Sequence, residues 1–156
     1  MVTKLDKKDF DEYVNGRYCD QIKWYDEKSN YNHSAYTKLQ WTLIVFSAMT
    51  PVLIAISFGL SDYSYLKWIA VITAIIVTIT SSVLRIFKFH ENWITYRTTC
   101  ETLKKEIHYY KANVGEYYNN KDKEATFVQR VESLISQENT LWLNVSKKED
   151  AKINNT

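Results

Sequence analysis

Loop-forming residues are almost missing from this chain: three glycines and one proline stand among its 156 residues. So little turn chemistry argues against a fold of many tight hairpins and points to long helices. Cysteine is nearly as scarce. Cys19 and Cys100 are the full complement, too few for a disulfide framework and without the CxxC spacing of a redox pair. A concentrated basic stripe is missing too. Lys and Arg number 20 against 18 Asp and Glu, for a formal charge of +2, which argues against nucleic acid as a partner. Catalytic signatures are also lacking. His33, His90 and His108 are scattered, "HENW" has no second histidine to complete a helical zinc site, no glycine loop can cradle a phosphate, and no serine sits in a nucleophile elbow. No catalytic residue, metal or cofactor is expected, and a K⁺-filter sequence is absent as well.

What the chain has instead is an uncharged middle. A mean hydropathy of −0.36 averages charged, tyrosine-rich flanks (1–38 and 85–156) with an almost charge-free stretch over 39–84. Residues 41–60 carry no charge, and a helix of that length reaches about 30 Å, the thickness of a bilayer's hydrocarbon core. Residues 68–84 add a second charge-free run of about 25 Å, which Lys67 and Arg85 can extend by reaching toward headgroups. Trp41, Tyr63, Tyr65 and Trp68 flank these runs, where amphipathic rings favour a membrane interface. Core helices of a soluble bundle rarely go so far without a charge. The expectation is therefore two membrane spans, 41–60 and 68–85, joined by an outer turn at 61–67. The polar stretch ahead of the first run argues against a cleaved signal peptide. Lys23, Lys28, Lys38, Arg85, Lys88, Arg97 and Lys104 crowd one side of the spans and Lys67 alone the other. That asymmetry is expected to place both termini of a cell-membrane protein in the cytoplasm, with the two cysteines as free thiols in a reducing compartment.

Each run has two unlike faces. In the first, Val45, Met49, Val52, Ile56 and Leu60 make a bulky stripe suited to lipid, and Ser47, Thr50, Ile54 and Ser57 lie roughly opposite. In the second, Ile72, Ile75, Ile76, Ile79 and Val83 form the lipid stripe. Ala70, Ala74, Thr78 and Ser82 form a small-every-fourth packing ladder, with Thr73, Thr80 and Ser81 as further hydroxyls. Small residues let helices approach closely, and hydroxyls can bond across the contact. Two readings stay open. Ser47, Thr50, Ser57, Thr73 and Thr80 either pack helix against helix or line a water-filled path once several copies assemble. Pro51 has no amide hydrogen and clashes with the carbonyl four residues back. It is expected to bend the first span and free the Ser47 carbonyl for a hydroxyl, a neighbouring helix or water.

The flanks also read as helix. Residues 1–40 carry a stripe of Phe10, Val14, Tyr18, Ile22 and Tyr25 that leads into the first span without a breaker. Ile86, Phe89, Trp93, Tyr96, Cys100, Leu103, Ile107, Tyr110 and Val114 alternate three and four apart. This predicts that the second span continues as one long helix over 86–115, capped by Gly115. Residues 121–146 repeat the pattern with Phe127, Val131, Leu134, Glu138, Leu141 and Val145, and 147–156 read as a disordered tail. The expected fold class is all-α: a two-span helical hairpin whose helices extend into a cytoplasmic bundle or stalk. Its filling would come from twelve tyrosines and five tryptophans. Two helices enclose no pore, so any conduction requires a homo-oligomer. Arg97 can pair with Glu101 one turn on, and Arg17 and Arg130 can face Glu106 or Glu138. Such pairs either fix helix register or ring an inner mouth that gathers ions or an anionic ligand.

The segments "NGRYCDQIKWYDEKSNYNHSAYTKLQ", the proline-centred span, "ENWITYRTTCETLKKEIHYYKANVGEYY" and "FVQRVESLISQENTLW" follow one another in an order that resembles the SLATT superfamily. These are the SMODS and SLOG-associating two-transmembrane effector domains, and the likeness is to their short stand-alone bacterial branch. It spans about residues 13–143 and rests on Arg17, Trp24, Tyr25, Pro51, Trp93, Tyr96, Arg97, Glu101, Glu106, Gly115 and Trp142 among others. The resemblance implies a membrane effector that forms pores in bacterial conflict systems on a nucleotide signal. The chain leaves no room for a fused sensor, so the trigger is expected from a cytoplasmic sensor protein, a small molecule or the membrane. Arg17, Trp24, Trp93, Tyr96, Arg97, Glu101, Glu106 and Trp142 are the candidates for cytoplasmic assembly. The competing expectation is a membrane-anchored scaffold that recruits a cytoplasmic partner and conducts nothing.

Overall fold

The computed structural model describes residues 6–59 and 65–137, and every regular element among them is a helix. Helix α1 (Lys7–Tyr13) passes through a π-helical turn (Val14–Tyr18) into α2 (Cys19–Gly59). Then follow α3 (Tyr65–Phe87), α4 (Phe89–Ala112), a 3-10 turn (Gly115–Tyr117) and α5 at 123–137. The stretches through α2 and through α3 are each long and apolar enough to cross a membrane. Two compact units divide the chain: a central unit, Lys28–Ile94, and a terminal unit made of Met1–Glu27 with Thr95–Thr156. Leu60, most of the outer turn, Glu138, Leu141, Trp142, Val145 and the tail lie outside the described residues.

The local spacing explains the helices. Phe10, Val14, Tyr18 and Ile22 are separated by three consecutive steps of four, more than an α-helical stripe tolerates without drifting off its face. The π turn absorbs the surplus residue and keeps Phe10 and Tyr18 on the buried side. From there α2 alternates steps of four and three through Tyr25, Ser29, Asn32, Tyr36, Leu39, Leu43, Phe46, Thr50, Leu53 and Ser57, all buried or half-buried. That is a heptad seam held across the boundary between charged and uncharged sequence. Pro51 lies inside α2, which continues past it to Gly59.

Two expected boundaries move. The second span does not continue as one helix over 86–115: Lys88, at φ 47°, separates α3 from α4. The Asn92 side chain donates to the Phe87 carbonyl across this break at 3.1 Å, and the Phe87 and Phe89 rings stack at 5.5 Å. The cap of α4 is Asn113, at φ 54°, not Gly115. Its amide donates to the Tyr110 carbonyl and the next amide, of Val114, to the Tyr109 carbonyl. This is a Schellman closure, and asparagine is the commonest substitute for glycine there. Gly115, at φ 64°, instead opens the 3-10 turn.

In the terminal unit α1, the start of α2, α4 and α5 share one core of Phe10, Tyr18, Tyr25, Cys100, Leu103, Tyr117, Phe127, Val131 and Ile135. Phe127 sits at its centre, with the rings of Phe10, Tyr18 and Tyr110 at 5.7, 5.2 and 5.4 Å. Such tilted and edge-on pairs add to the burial of each ring. Phe127→Ala is expected to cost about 3–5 kcal/mol, read as a drop in the denaturation midpoint of the solubilised full chain.

Candidate functional site

The central unit places the hydroxyls that sequence singles out. Thr50 and Thr73 bring α2 and α3 together, with their Oγ1 atoms 3.1 Å apart. Thr50 also donates to the Phe46 carbonyl and Thr73 to the Ala70 carbonyl, both at 2.8 Å. Two hydroxyls have two hydrogens for these three contacts, so each can fall back on its own helix. Ser57 is buried and donates to the Ile54 carbonyl at 2.7 Å; Ala70 and Thr80 are buried as well. The seam is thus Phe46, Thr50, Leu53 and Ser57 against Ala70, Thr73 and Thr80.

Other assignments change. Ser47 and Ile54, expected on the face of Thr50 and Ser57, are exposed; a residue three positions before Thr50 lies at the edge of the stripe that Phe46 and Leu53 define. Of the small-residue ladder only Ala70 is buried. Ala74, Thr78 and Ser82 point outward, because the buried positions 70, 73 and 80 take the other side of α3. Thr78 donates to the Ala74 carbonyl, and Ser81 and Ser82 both donate to the Thr78 carbonyl, at 2.9 Å in each case. Ala74 and Thr78, with Val71, Ile75 and Ile79, line an open groove of about 330 Å³. Of the expected lipid stripes, Val45, Met49, Val52, Ile56, Ile72, Ile75 and Ile79 are exposed, while Ile76 and Val83 are half-buried. Further along the unit, Trp93 packs against His33 at 4.6 Å and His90 at 5.6 Å, and His90 stacks on Tyr36 at 4.8 Å.

The terminal unit holds the charged candidates in two carboxylate centres of the same build. Arg17 grips Glu132 with both ends of its guanidinium, Nε at 2.5 Å and Nη2 at 2.7 Å, while the Tyr13 hydroxyl donates to Glu132 at 2.9 Å. Arg17 thus pairs with α5, not with Glu106. Arg130 does reach Glu106, and the Tyr117 hydroxyl donates to the same carboxylate. Glu116 holds the far side of Arg130 at 2.5 Å. Glu106 is 2 % exposed, a depth at which a carboxylate needs both partners. The Arg17 guanidinium holds the Glu132 carboxyl below its ordinary range, against the opposing pull of burial. Burial pushes the Tyr117 hydroxyl above the usual tyrosine range, and the bond to Glu106 adds to it. Tyr18, which donates to the Leu103 carbonyl at 2.7 Å, is pushed up to about 12, by burial first.

Arg97 pairs with Glu101 one helical turn on at 2.9 Å, as the spacing predicts. It also meets Asp26 at 3.5 Å, which in turn meets Lys104 at 3.4 Å. Trp24 lies half-exposed with its ring edge-on to Tyr25 and Tyr96, at 5.0 and 5.7 Å. Cys100 is fully buried, and burial raises its thiol; Cys19 is exposed. Tyr117, read from the sequence as a core or interface aromatic, is buried, and Tyr13 and Asp26 are the contributors that sequence reasoning misses. Their signal is weak, since each partner lies on another helix.

A profile of the DUF4231 family, described as a protein of unknown function, matches residues 20–125. The chain belongs to the DUF4231 family. No curated protein and no solved structure matches it. The DUF4231 match contains α3, α4 and the Thr50–Thr73 and Asp26–Arg97 contacts whole. It leaves Arg17, Arg130 and Glu132 outside.

Two outcomes follow for the carboxylate centres. Arg130→Met strands Glu106 in the interior and is expected to cost about 3 kcal/mol; adding Glu106→Gln should recover most of it in the same denaturation assay. Glu132 has a depressed folded pKa, so its contribution is present above the ordinary glutamate range and lost as pH falls through the folded value. The pair is half-exposed, which limits the effect to about 1 kcal/mol. Stability measured from about pH 5 to pH 3 should fall less steeply in Glu132→Gln than in the wild-type chain.

Proposed function

We propose that this chain is a two-span membrane protein, with both termini cytoplasmic, whose copies assemble around a path for ions or small solutes. The observation that carries the reading is the division of hydroxyls between two faces of the hairpin. Thr50, Ser57, Thr73 and Thr80 are buried or half-buried, with Thr50 and Thr73 meeting between α2 and α3, whereas Ser47, Thr78, Ser81 and Ser82 are exposed. Two helices packed this closely leave no axial path, so a path lies between copies, and the outward hydroxyls are the ones to line or seal it. The scarcity of buried residues in both apolar stretches supports the membrane setting, since a core helix of a soluble bundle would be mostly buried.

The effector role in a bacterial conflict or stress response is carried by the resemblance to two-span effectors. Its trigger is then a cytoplasmic sensor protein or a small molecule acting on the terminal unit. The scaffold reading draws on the exposed rings of Trp24, Tyr109 and Tyr118 in that unit, which offer a partner surface.

Purified protein in liposomes is expected to pass ions. Ser47→Leu and Thr78→Leu should change the flux severalfold, while Thr50→Val, inside the seam, should leave it within about twofold, because each hydroxyl there has an own-helix acceptor. Absence of flux together with a soluble protein that co-purifies and is lost on Trp24→Ala would favour the scaffold.

A further inference from the structure

Thr73 of α3 and Trp93 of α4 both pack on α2: Thr73 through the Thr50 hydroxyl at 3.1 Å, Trp93 through the His33 ring at 4.6 Å. They are twenty residues apart, and at about 100° per residue an unbroken helix would set them on roughly opposite sides. The break at Lys88 supplies the missing half-turn of rotation. It does so with a lysine at φ 47°, a region that costs a side-chain-bearing residue free energy and suits glycine or asparagine.

The sequence across the break is written for a different arrangement. Ile86, Phe89, Trp93, Tyr96 and Cys100 keep steps of three and four without interruption, which align on one face when residue 88 is helical. In the broken arrangement the first of them is stranded: Ile86 is 72 % exposed and its neighbour Phe87 57 %. On α2, the Ser29 hydroxyl is also buried, at 1 % residue exposure, without a hydrogen-bond partner among the described residues. Against these costs stand the Asn92 bond to the Phe87 carbonyl and the Phe87–Phe89 stack, which hold the break closed.

The geometry points to a two-state helix: Lys88 is a hinge between the broken α3–α4 pair described above and a continuous helix through residue 88. In the continuous state Ile86 joins the stripe of Phe89 and Trp93, and that stripe turns away from His33 and Tyr36. The switch goes beyond the conduction reading and would operate equally in a protein that conducts nothing.

The test is structural, on the full chain in lipid nanodiscs. Spin labels carried by ketone-bearing amino acids at the exposed positions Ser34 and Glu91 leave both cysteines untouched, and pulsed electron resonance gives their separation. Glu91 lies about half a turn from both Phe89 and Trp93, so the longer separation reports the broken state, in which that stripe faces α2, and the shorter one the continuous state, in which Glu91 turns toward α2. Lys88→Gly and Lys88→Asn relax the left-handed conformation and should enrich the long separation; Lys88→Ala should enrich the short one. The long-to-short ratio is expected to differ by about fivefold or more between Ala and Gly. Both variants lack the lysine charge, so charge does not enter the comparison, and the asparagine variant should follow glycine. A ratio equal in the Gly and Ala variants overturns the hinge, whatever the liposomes do.

Discussion

Helix α2 presents one narrow stripe, stepping by four and three from Tyr25 to Ser57, and what packs on it must offer a matching face. The constraint is geometric before it is chemical. A helix turns about 100° per residue, so a straight neighbour can keep a single face on α2 only if its own spacing never slips. α3 meets the requirement through Ala70, Thr73 and Thr80, and the start of α4 meets it through Trp93. The two faces are out of phase, and the left-handed Lys88 reconciles them. The π turn at Val14–Tyr18 corrects a smaller slip at the other end of the same stripe.

Chemistry then follows position along the stripe. Where the surrounding sequence is charged, the contacts are aromatic rings and carboxylate centres; where it is uncharged, they are small residues and hydroxyls. Thr50 and Thr73 suit the second setting because each hydroxyl has an acceptor on its own helix as well as across the contact. Apolar surroundings offer no water to take up an unpaired group. In the terminal unit the opposite economy holds. Glu106 is buried deeply enough that it depends on two outside donors, Arg130 and Tyr117, and its partners come from different parts of the chain. One arrangement tolerates the loss of a contact, and the other does not.

The family match begins at residue 20 and ends at 125, close to the limits of the α2–α4 core. The segments outside it, α1 and most of α5, are tied on through Arg17 and Glu132 and through Phe10 and Phe127. Both elements carry a single amphipathic stripe and bury it in the terminal unit's core.

Hydropathy and periodicity determined much by themselves: the all-helical class, the two long apolar stretches, and the outward stripes of Val45, Met49, Val52, Ile72, Ile75 and Ile79. They also determined the Arg97–Glu101 pair, a neighbour relation within one helix. These are properties of a segment and its own period. Only the tertiary structure decided that Ser47, Ala74, Thr78 and Ser82 face away from the seam and that Arg17 takes Glu132. It alone placed the break at Lys88, within a stripe that reads as continuous. Partner choice depends on which face of a second helix is turned inward, and a repeat counted along one chain says nothing of its phase relative to another.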